Sequence, residues 1–150
     1  MIKQSIDKEI KSAMLSGDKE TVSVLRTIKS VILDAEVKTG KRQEGLADED
    51  VIGLLQKEVK KRFEAAELYK NAGDQQRADK ELHETEIINK YLPEMMSEEE
   101  IAKVVREIIS TTEDVSMQKM GKIIGAVKAK TGSSADGAVI ARLVKEQINS

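Results

Sequence analysis

Six basic residues, Lys119, Lys122, Lys128, Lys130, Arg142 and Lys145, fall between residue 115 and residue 150, where only Asp136 and Glu146 oppose them. That segment carries +4 while the rest of the chain, with nineteen basic and twenty-five acidic residues, carries −6, so the net charge of −2 conceals a basic end. Basic side chains that reach phosphates release condensed counterions, which gives affinity for a nucleic-acid backbone without reading its sequence. In the same segment Gly121, Gly125 and Ala129 recur every fourth residue along a helical pattern spanning 117–137, with Met117, Met120, Ile123, Ile124 and Val127 on another face. A glycine inside a helix costs about 1 kcal/mol relative to alanine, so this pair calls for a compensating contact. Either a neighbouring helix packs tightly on the small residues, or a sugar-phosphate backbone lies against them. A second basic knot, Lys57, Lys60, Lys61 and Arg62, sits on an earlier predicted helix, and either knot can also be a plain solvated face.

Other chemistry finds little to work with. The one histidine, His83, has Asp79 four residues before it and Glu86 three after, which would share its helix face, but a metal or acid/base site would need ligands from a second helix. The acidic runs Asp48-Glu49-Asp50 and Glu98-Glu99-Glu100 open predicted helices, where carboxylates complement the helix dipole. There is no cysteine, hence no disulfide, thiolate nucleophile or sulfur-ligated zinc site, and no Gly-x-Ser-x-Gly elbow. Ala129-Lys130-Thr131 looks like the end of a phosphate loop, but Ile124 and Ala129 occupy the two glycine positions. No catalytic residue, metal or cofactor is indicated.

The elements that must carry these residues are helical. Aromatics are 2% of the chain and proline occurs once, which deprives a sheet of its favoured residues and leaves helices unbroken. Gly17-Asp18 ends a first helix with Ile6, Ile10 and Met14 and opens a second with Val22, Leu25, Ile28, Ile32 and Ala35 in register. After a polar loop over 40–47, Asp48 is expected to cap a long helix whose stripe is Ile52, Leu55, Val59, Phe63 and Ala66. Asp74 caps the next, with Ala78, Leu82, Thr85, Ile88 and Leu92, and Pro93 stops it. The stripes drift instead of keeping heptad spacing, so an antiparallel hairpin is preferred to a coiled coil. Ser97 and Glu100 form a capping box that opens three short amphipathic helices. The expected fold is all-α and two-lobed: an N-terminal long helical hairpin unit over residues 1–93, and a small C-terminal three-helix unit over 97–150, joined at 93–96. Charges throughout the first residues and the lack of a long apolar run speak against a signal peptide and a membrane span, so a cytoplasmic protein with no membrane partner is expected.

Together these residues support a resemblance. The run 120–127, Met-Gly-Lys-Ile-Ile-Gly-Ala-Val, followed by Gly132, Ala135-Asp136-Gly137 and an apolar helix to Ile148, resembles the GatB/YqeY tail domain of the tRNA-dependent amidotransferase. Lys90-Tyr91-Leu92-Pro93-Glu94, with Val24-Leu25-Arg26 and Ala78-Asp79-Lys80-Glu81, resembles the free-standing YqeY proteins, and the likeness spans essentially the whole chain. It implies an all-helical protein whose relatives include a non-catalytic, tRNA-contacting tail. Carried over, the tail's functional surface maps to Gly121, Lys122, Gly125, Ala135 and Asp136. The glutamine-dependent carbon–nitrogen ligase chemistry belongs to other parts of that assembly.

The first reading is therefore a non-enzymatic protein that contacts tRNA through its C-terminal lobe, by Lys119, Gly121, Lys122, Gly125, Lys128, Lys130, Ala135, Asp136, Arg142 and Lys145. The second is an adaptor whose glycine-ridged helix receives a protein partner in tRNA amidation or translation. An amidotransferase-type enzyme is the third.

Overall fold

A computed structural model describes residues 1–150, of which 79% are helical, in seven α-helices and two 3-10 turns without a strand. The chain is all-α, as its apolar spacing predicts. Chain contacts divide it into two units, Met1–Leu92 and Pro93–Ser150.

The first unit is two helix pairs. Helix α1 (Ile2–Ser16) ends at Gly17, whose φ of 76° is a left-handed conformation that glycine adopts without a Cβ clash. Asp18 then caps α2 (Lys19–Lys38), one carboxylate oxygen accepting from the Thr21 amide at 3.1 Å and the other from the Thr21 hydroxyl at 2.7 Å. This turn lays Ile6 and Ile10 against Val24, Leu25, Ile28 and Ile32, all buried. Helix α3 (Asp48–Asn71) and α4 (Gln75–Asn89) pack along each other, with Asp74 capping the latter through the Arg77 amide.

Four details of this unit correct the sequence reading. Ala47, not Asp48, is the cap of α3; Asp48 is the first helical residue, and its carboxylate accepts the Ile2 amide at 3.1 Å, tying the start of α1 to α3. The loop over 40–47 is not wholly polar, since Leu46 enters the core. On α3, Phe63 is 47% exposed while Arg62 is turned in. Burying Arg62 is tolerable because two carboxylates meet it: Glu58 Oε2 at 2.8 Å and, from α4, Glu84 Oε2 at 3.1 Å. On α4 the predicted Ala78, Thr85 and Ile88 are buried, but Ile87 joins them and Leu82 is left exposed.

The second unit begins with the predicted capping box, Ser97 and Glu100 exchanging side-chain bonds with each other's amides, and α5 (Glu98–Ser110). A 3-10 turn (Met117–Lys119) leads into α6 (Met120–Thr131), another (Gly132–Ser134) leaves it, and α7 (Gly137–Asn149) closes the chain. The continuous helix expected over 117–137 is thus shorter. Gly132, at φ 60° and ψ −142°, takes the backbone out of helical geometry, and Asp136 restarts it by accepting the Ala138 and Val139 amides. Ile101, Val105, Ile123, Val127, Ile140, Leu143 and Val144 form this unit's core.

Candidate nucleic-acid interface

Helix α6 owes its orientation to two residues: Ile123 and Val127, four apart, are buried against α5 and α7. At 3.6 residues per turn the opposite face then carries Gly121, Gly125 and Ala129, with Lys122 and Ala126 alongside. All five are exposed. A Cβ added at Gly121 or Gly125 would meet nothing within 4 Å, so no helix of the C-terminal unit packs on the ridge. The close helix contact that the sequence offered as the bland explanation of these glycines is absent within this unit. Gly121 also lies in the first turn of α6, where a glycine is less costly than in mid-helix.

Lysines border this smooth strip. Lys119 stands at its entrance as the N-cap residue, and α6 contains no acidic residue at all. Lys128 runs beside the first turn of α7, where a Cβ on Gly137 would sit 3.6 Å from its Cε and Nζ. Lys119, Lys122, Lys128 and Lys145 make no ion pair. Two other predicted cations are engaged. Lys130 donates to Glu107 Oε2 at 2.8 Å, and its hydrogen bond and charge hold the Glu107 carboxyl below the usual carboxylate range. Arg142 bonds Glu98 of α5 and, at 3.2 Å, Glu146. Ala135 is buried in the core and Asp136 serves as the cap of α7, so both have structural roles.

The knot on α3 differs. Glu58 takes both Lys61, at 3.2 Å, and Arg62. Burial pushes the Glu58 carboxyl up, but hydrogen bonds and charges from Arg62 and Lys61 outweigh it and leave it lowered. His83 does not assemble a site with Asp79 and Glu86; its Nδ1 lies 2.9 Å from Glu20 Oε1 on α2. No group of three or more histidine and acidic side chains is placed to hold a metal ion.

Two features escaped the sequence reading. Glu36, almost fully buried, accepts Lys3 Nζ at 2.6 Å and the Leu46 amide at 3.2 Å, and the Lys3 hydrogen bond is the main reason its carboxyl stays below the usual range despite burial. Its signal was positional, since it continues the Ile28 and Ile32 stripe. The other is a polar face of α2 formed by Lys19, Ser23, Arg26 and Thr27, whose spacing of four, three and one marks one side of a helix.

Comparison with known proteins adds a relative and a family. The chain is 24% identical over 148 residues to a protein of Pyrenophora tritici-repentis (strain Pt-1C-BFP) named altered inheritance of mitochondria protein 41, mitochondrial, an alignment covering 95% of this chain and 78% of that protein. No helix is long and apolar enough to cross a membrane. The family model described as Yqey-like protein matches residues 3–148, and the chain therefore belongs to the YqeY family.

Proposed function

We propose that this protein is a non-catalytic tRNA-binding protein that holds the RNA backbone on the outer face of α6. The observation that carries this reading is the open strip of Gly121, Gly125 and Ala129, on a helix free of acids that carries or abuts three lysines without ion pairs, Lys119, Lys122 and Lys128. Where side chains are missing, a phosphate backbone can approach the helix closely, and the neighbouring ammonium groups then replace its counterions. The likeness of 120–137 to the amidotransferase tail supplies the class of RNA. A place in the cytoplasm, within tRNA amidation or translation, goes with this reading.

The test is a tRNA titration at several salt concentrations. Replacing Lys119, Lys122 and Lys128 together by Ala weakens binding and lowers the magnitude of the log–log salt slope by about 3, near one unit per lost phosphate contact. Lys130→Ala changes it less, because Lys130 already faces Glu107. Loss of binding on replacing Lys57, Lys60 and Lys61, with the C-terminal triple variant unaffected, would move the site to α3.

The exposed ridge also favours a second reading, a partner protein's helix seated on Gly121, Gly125 and Ala129. Gly125→Leu blocks such close approach, and a partner lost in pull-down with this variant while tRNA binding is absent in the parent would select it.

A further inference from the structure

A depression of about 560 Å³ lies where α1 turns into α2, in the unit that the proposed tRNA site does not use. Its size falls within the range of small-molecule sites, roughly 300–1,000 Å³. Met14 and Val22 give it an apolar floor, and Lys19, Ser23, Arg26 and Thr27 line its polar side.

The charges there are arranged for an incoming anion. Neither Lys19 nor Arg26 has a carboxylate partner, and the Arg26 guanidinium rests instead on Met14 Sδ at 3.7 Å. The one acid at the rim, Asp18, is directed to Thr21, from which both its oxygens accept, and its single charge is outnumbered by the two cations. Lys19 and Arg26 are two helical turns apart, about 10 Å along the axis, with Ser23 between them on the same face. The Ser23 hydroxyl has no partner in the protein, while Thr27 donates to the Ser23 carbonyl at 3.1 Å and keeps that turn regular. A fork-shaped guanidinium, an ammonium and a free hydroxyl along one helix face suit a phosphate dianion better than a carboxylate, for which Arg26 alone would suffice. A polarizable thioether beside that group suits a planar ring.

We propose that this depression binds a nucleoside monophosphate, with its phosphate among Lys19, Ser23 and Arg26 and its base over Met14 and Val22. The nucleotide is either free or the 5′-phosphorylated end of an RNA strand, since both present the same group.

Amide chemical shifts of the full chain, titrated separately with AMP, a 5′-phosphorylated trinucleotide, adenosine and inorganic phosphate, test this. AMP is expected to shift Gly17, Lys19 and Ser23 saturably, and adenosine is not. Arg26→Gln weakens AMP binding by about tenfold or more, as for loss of a charge-assisted hydrogen bond. It melts with the parent, because Arg26 is exposed and its side chain bonds only Met14. Met14→Ala weakens AMP but leaves the weaker inorganic phosphate unchanged, which separates a nucleotide site from a bare anion site. Tighter binding of the trinucleotide than of AMP identifies an RNA end, and the reverse a free nucleotide. Adenosine binding as well as AMP, shifts of equal size in Arg26→Gln, or no saturable shift at these amides with millimolar AMP or trinucleotide overturns the proposal. The Lys119, Lys122 and Lys128 variant retains AMP binding, so this site and the tRNA reading fail separately.

Discussion

Two basic knots, on α3 and on α6, look alike as sequence and differ as surfaces. Lys57, Lys60, Lys61 and Arg62 share α3 with Glu58, Glu64 and Glu67, and Glu58 together with Glu84 of α4 turns Arg62 inward as a structural strut. Lys122, Lys128 and Lys130 share α6 with no acid, and only Lys130 is paired, through Glu107 of α5. The lesson is that a count of basic residues measures charge present, while availability depends on which acids the fold brings within reach. A cation half-buried between two carboxylates contributes to folding. One on a bare strip of glycine and alanine remains free to meet a partner.

The largest effect that sharpens this contrast concerns the bodies that carry the two knots. The C-terminal unit is small, and units of that size bury too little surface for a wide stability margin. Ile140 is fully buried at its centre, and Ile140→Ala is expected to cost about 2–5 kcal/mol. Calorimetry should show the C-terminal transition lost or moved to much lower temperature, with the N-terminal one retained. A single transition shifting as a whole would mean that the two units unfold together and that the comparison must be made over the whole chain.

Next in size is the strut itself. Arg62→Ala leaves Glu58 and Glu84 facing each other with little water, and should destabilise the N-terminal unit by about 2–3 kcal/mol in urea unfolding. Adding Glu58→Gln should restore part of that, because one uncompensated charge is removed. Lys122→Ala, which breaks no contact, is expected to stay within about 0.5 kcal/mol of the parent. If Arg62→Ala proves equally silent, Arg62 is a surface cation after all and the α3 knot returns as a candidate for RNA.

Much of the architecture is legible in the sequence, and the misses share a cause. Caps at Asp18, Asp74 and Ser97 are local, each a side chain meeting an amide three residues on, so the sequence predicts them. Helical spacing likewise marks Leu25, Ile28, Ile123 and Val127 as core. The inversion of Phe63 and Arg62 could not be read that way, because it depends on Glu84, twenty-two residues later on another helix. Glu36 is the same case, its partners being Lys3 and the Leu46 amide. For the candidate interface, spacing placed Gly121, Gly125 and Lys122 together. It did not show that the ridge is bare, nor that Asp136 and Arg142 are already occupied, since those depend on the turn at Gly132 and on the packing of α5.

The smallest expected effect is also the most selective, because the protein's one histidine belongs to the N-terminal unit. The His83 imidazole is held above its ordinary value, chiefly by its hydrogen bond to Glu20 and that residue's charge, with Glu86 and Asp18 adding to it. A folded-state value above the unfolded one, near 6.5, means the folded protein holds this proton more tightly. The added stability is therefore complete below about pH 6.5 and disappears as pH rises through the raised folded value. Both partners are largely in solvent, so the effect should be modest and should weaken further with salt. Urea midpoints of the N-terminal transition measured at pH 6 and pH 8 should differ in that direction in the parent, and the difference should vanish in His83→Asn, while the C-terminal transition stays flat across the same interval. A slope that survives in His83→Asn would place the titrating group elsewhere and remove the pair with Glu20 from the contacts that join α2 to α4.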